Sequence, residues 1–362
     1  MRIKTLGRSG LRVSEIALGT MTFGTAWGWG ADAATCAALY AQFRNVGGTF
    51  IDSANFYTNG ESEQITGKLI APHRSEIVLG TKFASSMADG NANASGLGRK
   101  NMIQAVEASL KRLGTEYIDL YWLHIWDFLT PVEEVMRGLD DLVRSGKVLY
   151  VGVSDTPAWI ISEAQILAAL RGWSPFVGLQ INYSLIERTV ERELIPMARA
   201  RELGVVAWSP LAQGVLTGKY NHERSNDGKG TTNRDARPGL RGRNERGLAI
   251  AKAVEDLAVE IGHSPAQVAL SWVRAKGAIP LLGAAKAEQL KDNLGTLNLE
   301  LTTDQISMLD AVSAIVFGFP HDFYPSVLSA LYGTYGQTLD VIQLEANGAT
   351  QPLLSALRQL SN

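Results

Sequence analysis

Four residues of this chain carry the groups needed to move a proton. Asp52 closes the apolar run "TFIDSA" (49–54), and Tyr57 follows five residues later in a polar loop. Lys82 stands next to last in "EIVLGTKF" (76–83), and His124 ends "YIDLYWLH" (117–124). Taken singly, each has a plain reading: a turn carboxylate, a loop aromatic, a strand-end lysine reaching solvent, a core histidine. Taken together they are harder to dismiss, because a lysine on an apolar strand needs a counter-charge and Asp52 can supply it. A phenol titrates at about 10, and a neighbouring ammonium stabilises the phenolate, so Lys82 is expected to lower Tyr57 into a useful range. A neutral imidazole at His124 can bind and orient the same reacting oxygen. The set holds no serine or thiol nucleophile and no cluster with metal-ligand spacing. It suits proton delivery to a carbonyl oxygen, with hydride from a bound cofactor.

These residues need elements that bring their strand ends together. Eight β-rich runs recur along the chain: 15–20, 49–54, 76–83, 117–124, 148–155, 176–183, 205–211 and 278–284. Amphipathic helical stretches lie between them, including 99–114, 130–146 and 244–262. Thr130 is expected to cap the second of these, with Pro131 at its first position and Glu133 three residues after the cap. Near-continuous apolar strands separated by helices predict an α/β fold with a parallel sheet, and eight units suit a closed (β/α)8 TIM barrel. Chemistry then belongs at the carboxyl ends of the strands. One barrel-type domain is expected over 1–362, with three additions to the repeat. Residues 1–14 read as a β-hairpin cap, 221–246 as a mobile loop with a possible role over an anionic ligand, and 302–362 as a C-terminal extension folding across the barrel and lining the substrate pocket.

Composition narrows the function classes. Of 362 residues, 46% are hydrophobic and 19% charged, with a formal net charge of −2. That leaves no electrostatic footprint for nucleic acid or an anionic membrane surface. No run reaches membrane-spanning length, and the N-terminal segment lacks the apolar stretch of a signal peptide, so a cytoplasmic protein is expected. The single cysteine, Cys36, lies among apolar residues at helical spacing and reads as a small buried hydrophobe.

The other strand ends add Ser154, Asp155, Gln180, Asn182, Trp208, Ser209 and Pro210 to one rim. With "FIDSANFY", "GTK", "LYWLHIWD", "VGVSD", "LQINYSL", "WSPLAQGVLTGKY" and "LLGAAKAEQLKDNL" in this order, the chain resembles the aldo-keto reductase superfamily from Leu6 to about Leu301. The resemblance implies that Tyr57 is the general acid, that Lys82 lowers its pKa, that Asp52 holds Lys82, and that His124 orients the carbonyl. It implies NADPH/NADP as cofactor, bound on the barrel without a Gly-rich fingerprint. Ser154, Asp155 and Gln180 fall where the family holds the carboxamide, and Trp208 where an aromatic stacks on the nicotinamide. Ser209, Pro210, Leu211, Gly214, Leu216 and Lys219 match the pyrophosphate segment. Gly283, Lys286, Gln289 and Asn293 match the adenosine end, with Lys286 meeting the 2′-phosphate. Thr20, Met21 and Asp52 complete the cofactor set. Asp155 departs from the family's usual asparagine: an ionised carboxylate only accepts, so it can bind the carboxamide NH₂ but not its oxygen, unless it caps the helix beginning near Pro157.

For substrate, the rim loops present Trp27, Trp29, Phe56, Trp126 and Phe128 around Tyr57 and His124. Such a lining favours an apolar, cyclic or aromatic carbonyl or alcohol. Two other functions fit the same residues. One is a nucleotide-sensing regulatory protein resembling potassium-channel β-subunits, with little turnover; the other is a barrel lyase or isomerase that uses the acid without nicotinamide.

Overall fold

The computed structural model describes residues 1–221 and 242–360. A two-stranded antiparallel hairpin, β1 (Ile3–Thr5) and β2 (Arg12–Ser14), opens the chain. Eight strands then form the barrel: β3 (Ala17–Gly19), β4 (Phe50–Asp52), β5 (Val78–Phe83), β6 (Ile118–Leu123), β7 (Val148–Ser154), β8 (Phe176–Asn182), β9 (Gly204–Trp208) and β10 (Ile279–Leu282). All neighbouring pairs are parallel, and β10 closes the ring by pairing with both β3 and β9. Each lies inside one of the eight apolar runs, apart from Gly204 at the start of β9. β6 is buried at every position, because one face meets the barrel interior and the other the helices, and so its sequence does not alternate.

The interior is filled below the rim. Leu6, Leu11 and Val13 of the hairpin segment pack with Phe50, Leu120, Trp122, Val206 and Ile279, so the hairpin plugs the amino end. Trp122 is the largest fully buried side chain here, and three glycines, one each on β5, β7 and β8, make room for it. A Cβ at Gly152 would lie 2.3 Å from Trp122 Cε3, one at Gly178 3.0 Å from Cη2, and one at Gly80 3.0 Å from Nε1. Space for a ligand is left at the carboxyl mouth.

Outer helices include α1 (Ala33–Asn45), α2 (Glu61–Ile70), α3 (Arg99–Leu113), α4 (Val132–Arg144), α5 (Ala158–Arg171), α6 (Leu194–Ala200), α7 (Glu245–Ile261), α8 (Pro265–Ala275) and α9 (Ala287–Leu294). Cys36 is buried in α1, where burial pushes its thiol up to about 11. The expected cap of α4 is corrected: Pro131 occupies the cap position, with no side-chain cap bond. Thr130 instead gives its hydroxyl to Asp127, whose carboxylate also takes the N–H groups of Leu97, Leu129 and Thr130. The loop expected at 221–246 lies mostly in 222–241, outside the described residues.

The C-terminal extension is tied to the outer helices at several points. Its first helix, α10 (Thr303–Val312), packs on α7 and α8. Buried Arg188 pairs with Glu191 and donates to the Asp310 carbonyl and Ser313 Oγ, tying α10 to the loop after β8. Further along, Arg192 holds the Val316 carbonyl and Arg199 pairs with Glu345 at 3.1 Å. Gly348, at φ 92°, lies so close to α6 that a Cβ would stand 2.9 Å from the Pro196 carbonyl oxygen. These contacts lay the extension along α6 on the outer layer, held by arginines of that segment.

Candidate active site

β4 and β5 set the central pair. Asp52 lies beside Gly80 in register, and Lys82 reaches back from two residues further along β5. All three Lys82 donors are engaged: a close ion pair to Asp52 Oδ2, the Ser53 carbonyl at 2.8 Å and the Tyr57 hydroxyl at 3.1 Å. Both charged side chains are fully buried. From β8, across the barrel, Gln180 Nε2 donates to Asp52 Oδ1 at 3.0 Å. The carboxylate is thus held from two sides, and the lysine has one direction left for the tyrosine. Burial alone would depress the Lys82 ammonium, but Asp52 and then Tyr57 more than offset it and its pKa is raised. Burial likewise raises the Asp52 carboxyl, against the pull of Lys82 and the Gln180 hydrogen bond.

Tyr57 begins a short turn, Tyr57–Gly60, in which Thr58 (φ 47°) and Asn59 (φ 55°) are left-handed. Such non-glycine positions cost about 1–2 kcal/mol each. They are held by Thr58 Oγ1, which donates to the Phe23 carbonyl at 2.7 Å and accepts from Ser62 N–H at 2.9 Å. Nearly buried Tyr57 faces the His124 ring edge-on, with centroids 5.9 Å apart. Protein packed around the half-buried His124 ring, with Lys82 adding repulsion, pushes the imidazole down to about 3. It is therefore neutral at pH 7. The Tyr57 result differs from the sequence expectation: burial raises the phenol above its ordinary value, and the opposing pull of Lys82 does not reverse that.

The remaining rim positions gather around the mouth. Thr20 is buried in the wall, its hydroxyl shared with Ser62 and the Asp52 carbonyl, while Met21 beside it is exposed. Ser154 is buried and Asp155 open to solvent; Asp155 Oδ1 accepts the Trp208 indole N–H at 3.1 Å. The helix α5 is capped from the Pro157 position without a side-chain bond, so Asp155 is not its cap. Ser209, Ala212, Gln213 and Gly214 are all left-handed, which bends the segment after β9 into a concave turn; φ 95° at Gly214 suits glycine alone. Pro210 and Leu216 are buried beneath it and Leu211 half-buried. Lys219 Nζ would lie 3.2 Å from a Cβ at Gly214. A cavity of about 410 Å³ opens beside this turn, lined by Asn182, Ser184, Trp208, Ser209, Gln213 and Arg246 among others. At the end of β10, Gly283 has open space where a Cβ would stand, and exposed Lys286 immediately precedes α9. Gln289 accepts Ala285 N–H at 3.0 Å, and Asn293 is buried. Left-handed backbone in a concave turn and a lysine at a helix N-terminus both favour negative charge.

Aromatic side chains roof Tyr57. Trp27 lies 4.9 Å from Phe56, 5.4 Å from Trp29 and 6.5 Å from Tyr57 between ring centroids. Its indole donates to Asn59 Oδ1 at 3.1 Å, and Glu61 Oε2 accepts from Thr25 and Ala26 N–H at 2.7 and 3.0 Å. Trp126 is buried, whereas Phe128 is 70% exposed and stands off from this cluster. Thr58, Asn59, Glu61 and Ser62 support the roof and Tyr57, and none of them was expected there from the sequence. The polar run "TNGES" directly after Tyr57 was the available signal.

Comparison with known proteins bears on the whole arrangement. The chain is 34% identical over 351 residues to norsolorinic acid reductase of Aspergillus flavus, covering 94% of this chain and 88% of that protein. It is 36% identical over 330 residues to aryl-alcohol dehydrogenase [NADP(+)] of Phanerodontia chrysosporium, covering 86% of each. It is 37% identical over 325 residues to an aryl-alcohol dehydrogenase of Pestalotiopsis microspora, covering 86% of this chain and 82% of that protein. The family model described as "Aldo/keto reductase family" matches residues 15–314, from the start of the barrel into the segment after α10. The chain belongs to the aldo/keto reductase family of oxidoreductases.

Proposed function

We propose that this oxidoreductase reduces an aromatic aldehyde or ketone to its alcohol with NADPH, and runs the reverse reaction with NADP⁺. The carrying observation is the Lys82 ammonium held between the Asp52 carboxylate and the Tyr57 hydroxyl. Tyr57, protonated at neutral pH, donates its proton to the carbonyl oxygen as negative charge develops there. Lys82 stabilises the resulting phenolate, and Asp52 keeps the lysine charged and in place. Neutral His124 offers a ring N–H to the same oxygen and orients the carbonyl. Trp208 and the turn from Ser209 to Gly214, with Lys219, would hold the cofactor near the mouth; Gly283, Lys286, Gln289 and Asn293 would hold its far end. When bound, the nicotinamide supplies the hydride. A cation at Lys286 favours the cofactor that carries a 2′-phosphate.

The substrate class is supported by the Trp27, Trp29 and Phe56 rings above Tyr57, which offer flat apolar faces to an aromatic ring. The names of the relatives point the same way. A panel of aromatic and aliphatic aldehydes and ketones, followed by loss of reduced-nicotinamide absorbance, tests the proposal. Turnover is expected with aromatic carbonyls, faster with NADPH than with NADH. Tight NADPH binding without turnover on any carbonyl would instead favour a nucleotide-sensing role.

A further inference from the structure

Asp155 stands where a carboxamide-binding amide was expected, and its carboxylate is engaged elsewhere. The residue follows β7 in a left-handed conformation, φ 40°, which short polar side chains tolerate better than most. Its Oδ1 accepts the indole N–H of Trp208, at the end of β9, with the β8 strand lying between them. Its main-chain carbonyl takes the Trp126 N–H at 3.4 Å. An indole has one polar handle, Nε1–H, and the torsion that turns the ring has a broad, shallow profile. Fixing that handle selects one ring orientation out of a wide range. Gln180, on β8 between the two, gives its amide N–H to Asp52 and does not compete for the indole.

We infer that Asp155 is a positioning residue for Trp208: it accepts the indole N–H and fixes the ring at the barrel mouth in the orientation that receives the nicotinamide. The inference rests on the proposed NADPH-dependent function. It assigns Asp155 an effect on the cofactor through Trp208, in place of the direct amide grip.

A double-variant cycle tests it with the full-length protein. Asp155→Ala leaves the indole without its acceptor, and NADPH affinity, followed by fluorescence titration, is expected to weaken about tenfold, the loss of one charge-assisted hydrogen bond. Asp155→Asn keeps an amide oxygen that can accept the indole proton, so its affinity should stay close to that of the unmodified protein. In a Trp208→Phe background, Asp155→Ala should cause no further weakening. The indole ¹⁵N–¹H resonance of Trp208, assigned by its loss in Trp208→Phe, should shift in cofactor-free Asp155→Ala and persist nearly in place in Asp155→Asn. Equal losses from Asp155→Ala with and without the tryptophan, or an unmoved indole resonance, would overturn the inference while leaving the proposed function intact. Unmodified protein that does not bind NADPH would overturn that function, and this inference with it.

Discussion

A phenol buried beside an ammonium is pulled in two directions, and at Tyr57 burial prevails. The consequence is favourable for an acid: the proton is present throughout the neutral range, and Lys82 acts on the phenolate once the proton has left. The lysine's contribution belongs to the charge-separated state more than to the resting one. His124, pushed down to about 3, is likewise uncharged at neutral pH, so neither group changes protonation between pH 5 and 8. We therefore expect the pH profile of kcat/KM for carbonyl reduction to be flat over that range and to fall only above the ordinary phenol range. An inflection near the ordinary histidine value of 6.5 would contradict the neutral imidazole. Stability carries the same mark. Because the folded-state value of His124 lies below the unfolded one, the unfolded chain binds the proton more readily. Its contribution is retained above about 6.5 and declines as the pH falls toward 3. Replacing His124 with a non-titrating aromatic should flatten that part of the curve, measured by denaturant unfolding at several pH values.

At the scale of elements, the strands were readable because burial on both faces makes them continuous apolar runs, and a polar or charged residue marks where each reaches the mouth. Asp52, Lys82 and His124 were legible for that reason, and Tyr57 through its distance from Asp52. What was not legible depends on neighbours far apart in the chain. Thr130 looked like a cap locally, but Asp127 gathers the N–H groups of that loop and takes the threonine hydroxyl as well. The acceptor for Trp208 could not be read from its own segment, since Asp155 lies 53 positions away. Nor could the space reserved by Gly80, Gly152 and Gly178, whose sequence context says strand and nothing about Trp122. Gly152→Ala should cost about 1–3 kcal/mol, because its Cβ would meet the indole at 2.3 Å and the closed ring leaves the tryptophan little room to move. Denaturant unfolding measures this. A neutral result would mean that the barrel interior has room for the indole to shift.

The whole molecule separates stability from chemistry along the barrel axis. The hairpin and Trp122 fill the amino half, while the rim collects the ion pair, the phenol, the imidazole and the aromatic roof. The extension after the barrel is tied to the loop before α6 through Arg192 and Val316, and to α6 itself through Arg199 and Glu345. The loops after β3, β4 and β6 carry Trp27, Phe56 and Trp126, and the first two place their rings beside Tyr57. The closed eight-stranded barrel was legible in the alternation of eight apolar runs with helices, and the aldo/keto reductase family in the ordered motifs; the direction of the Tyr57 shift and the Asp155–Trp208 contact were not. The proposed carbonyl reduction depends most on one proton, that of Tyr57. In Tyr57→Phe, kcat with NADPH and an aromatic aldehyde should fall by about 10²–10⁴-fold, the usual contribution of a general acid, while NADPH affinity stays nearly unchanged. A Tyr57→Phe protein that turns over at the unmodified rate would contradict it.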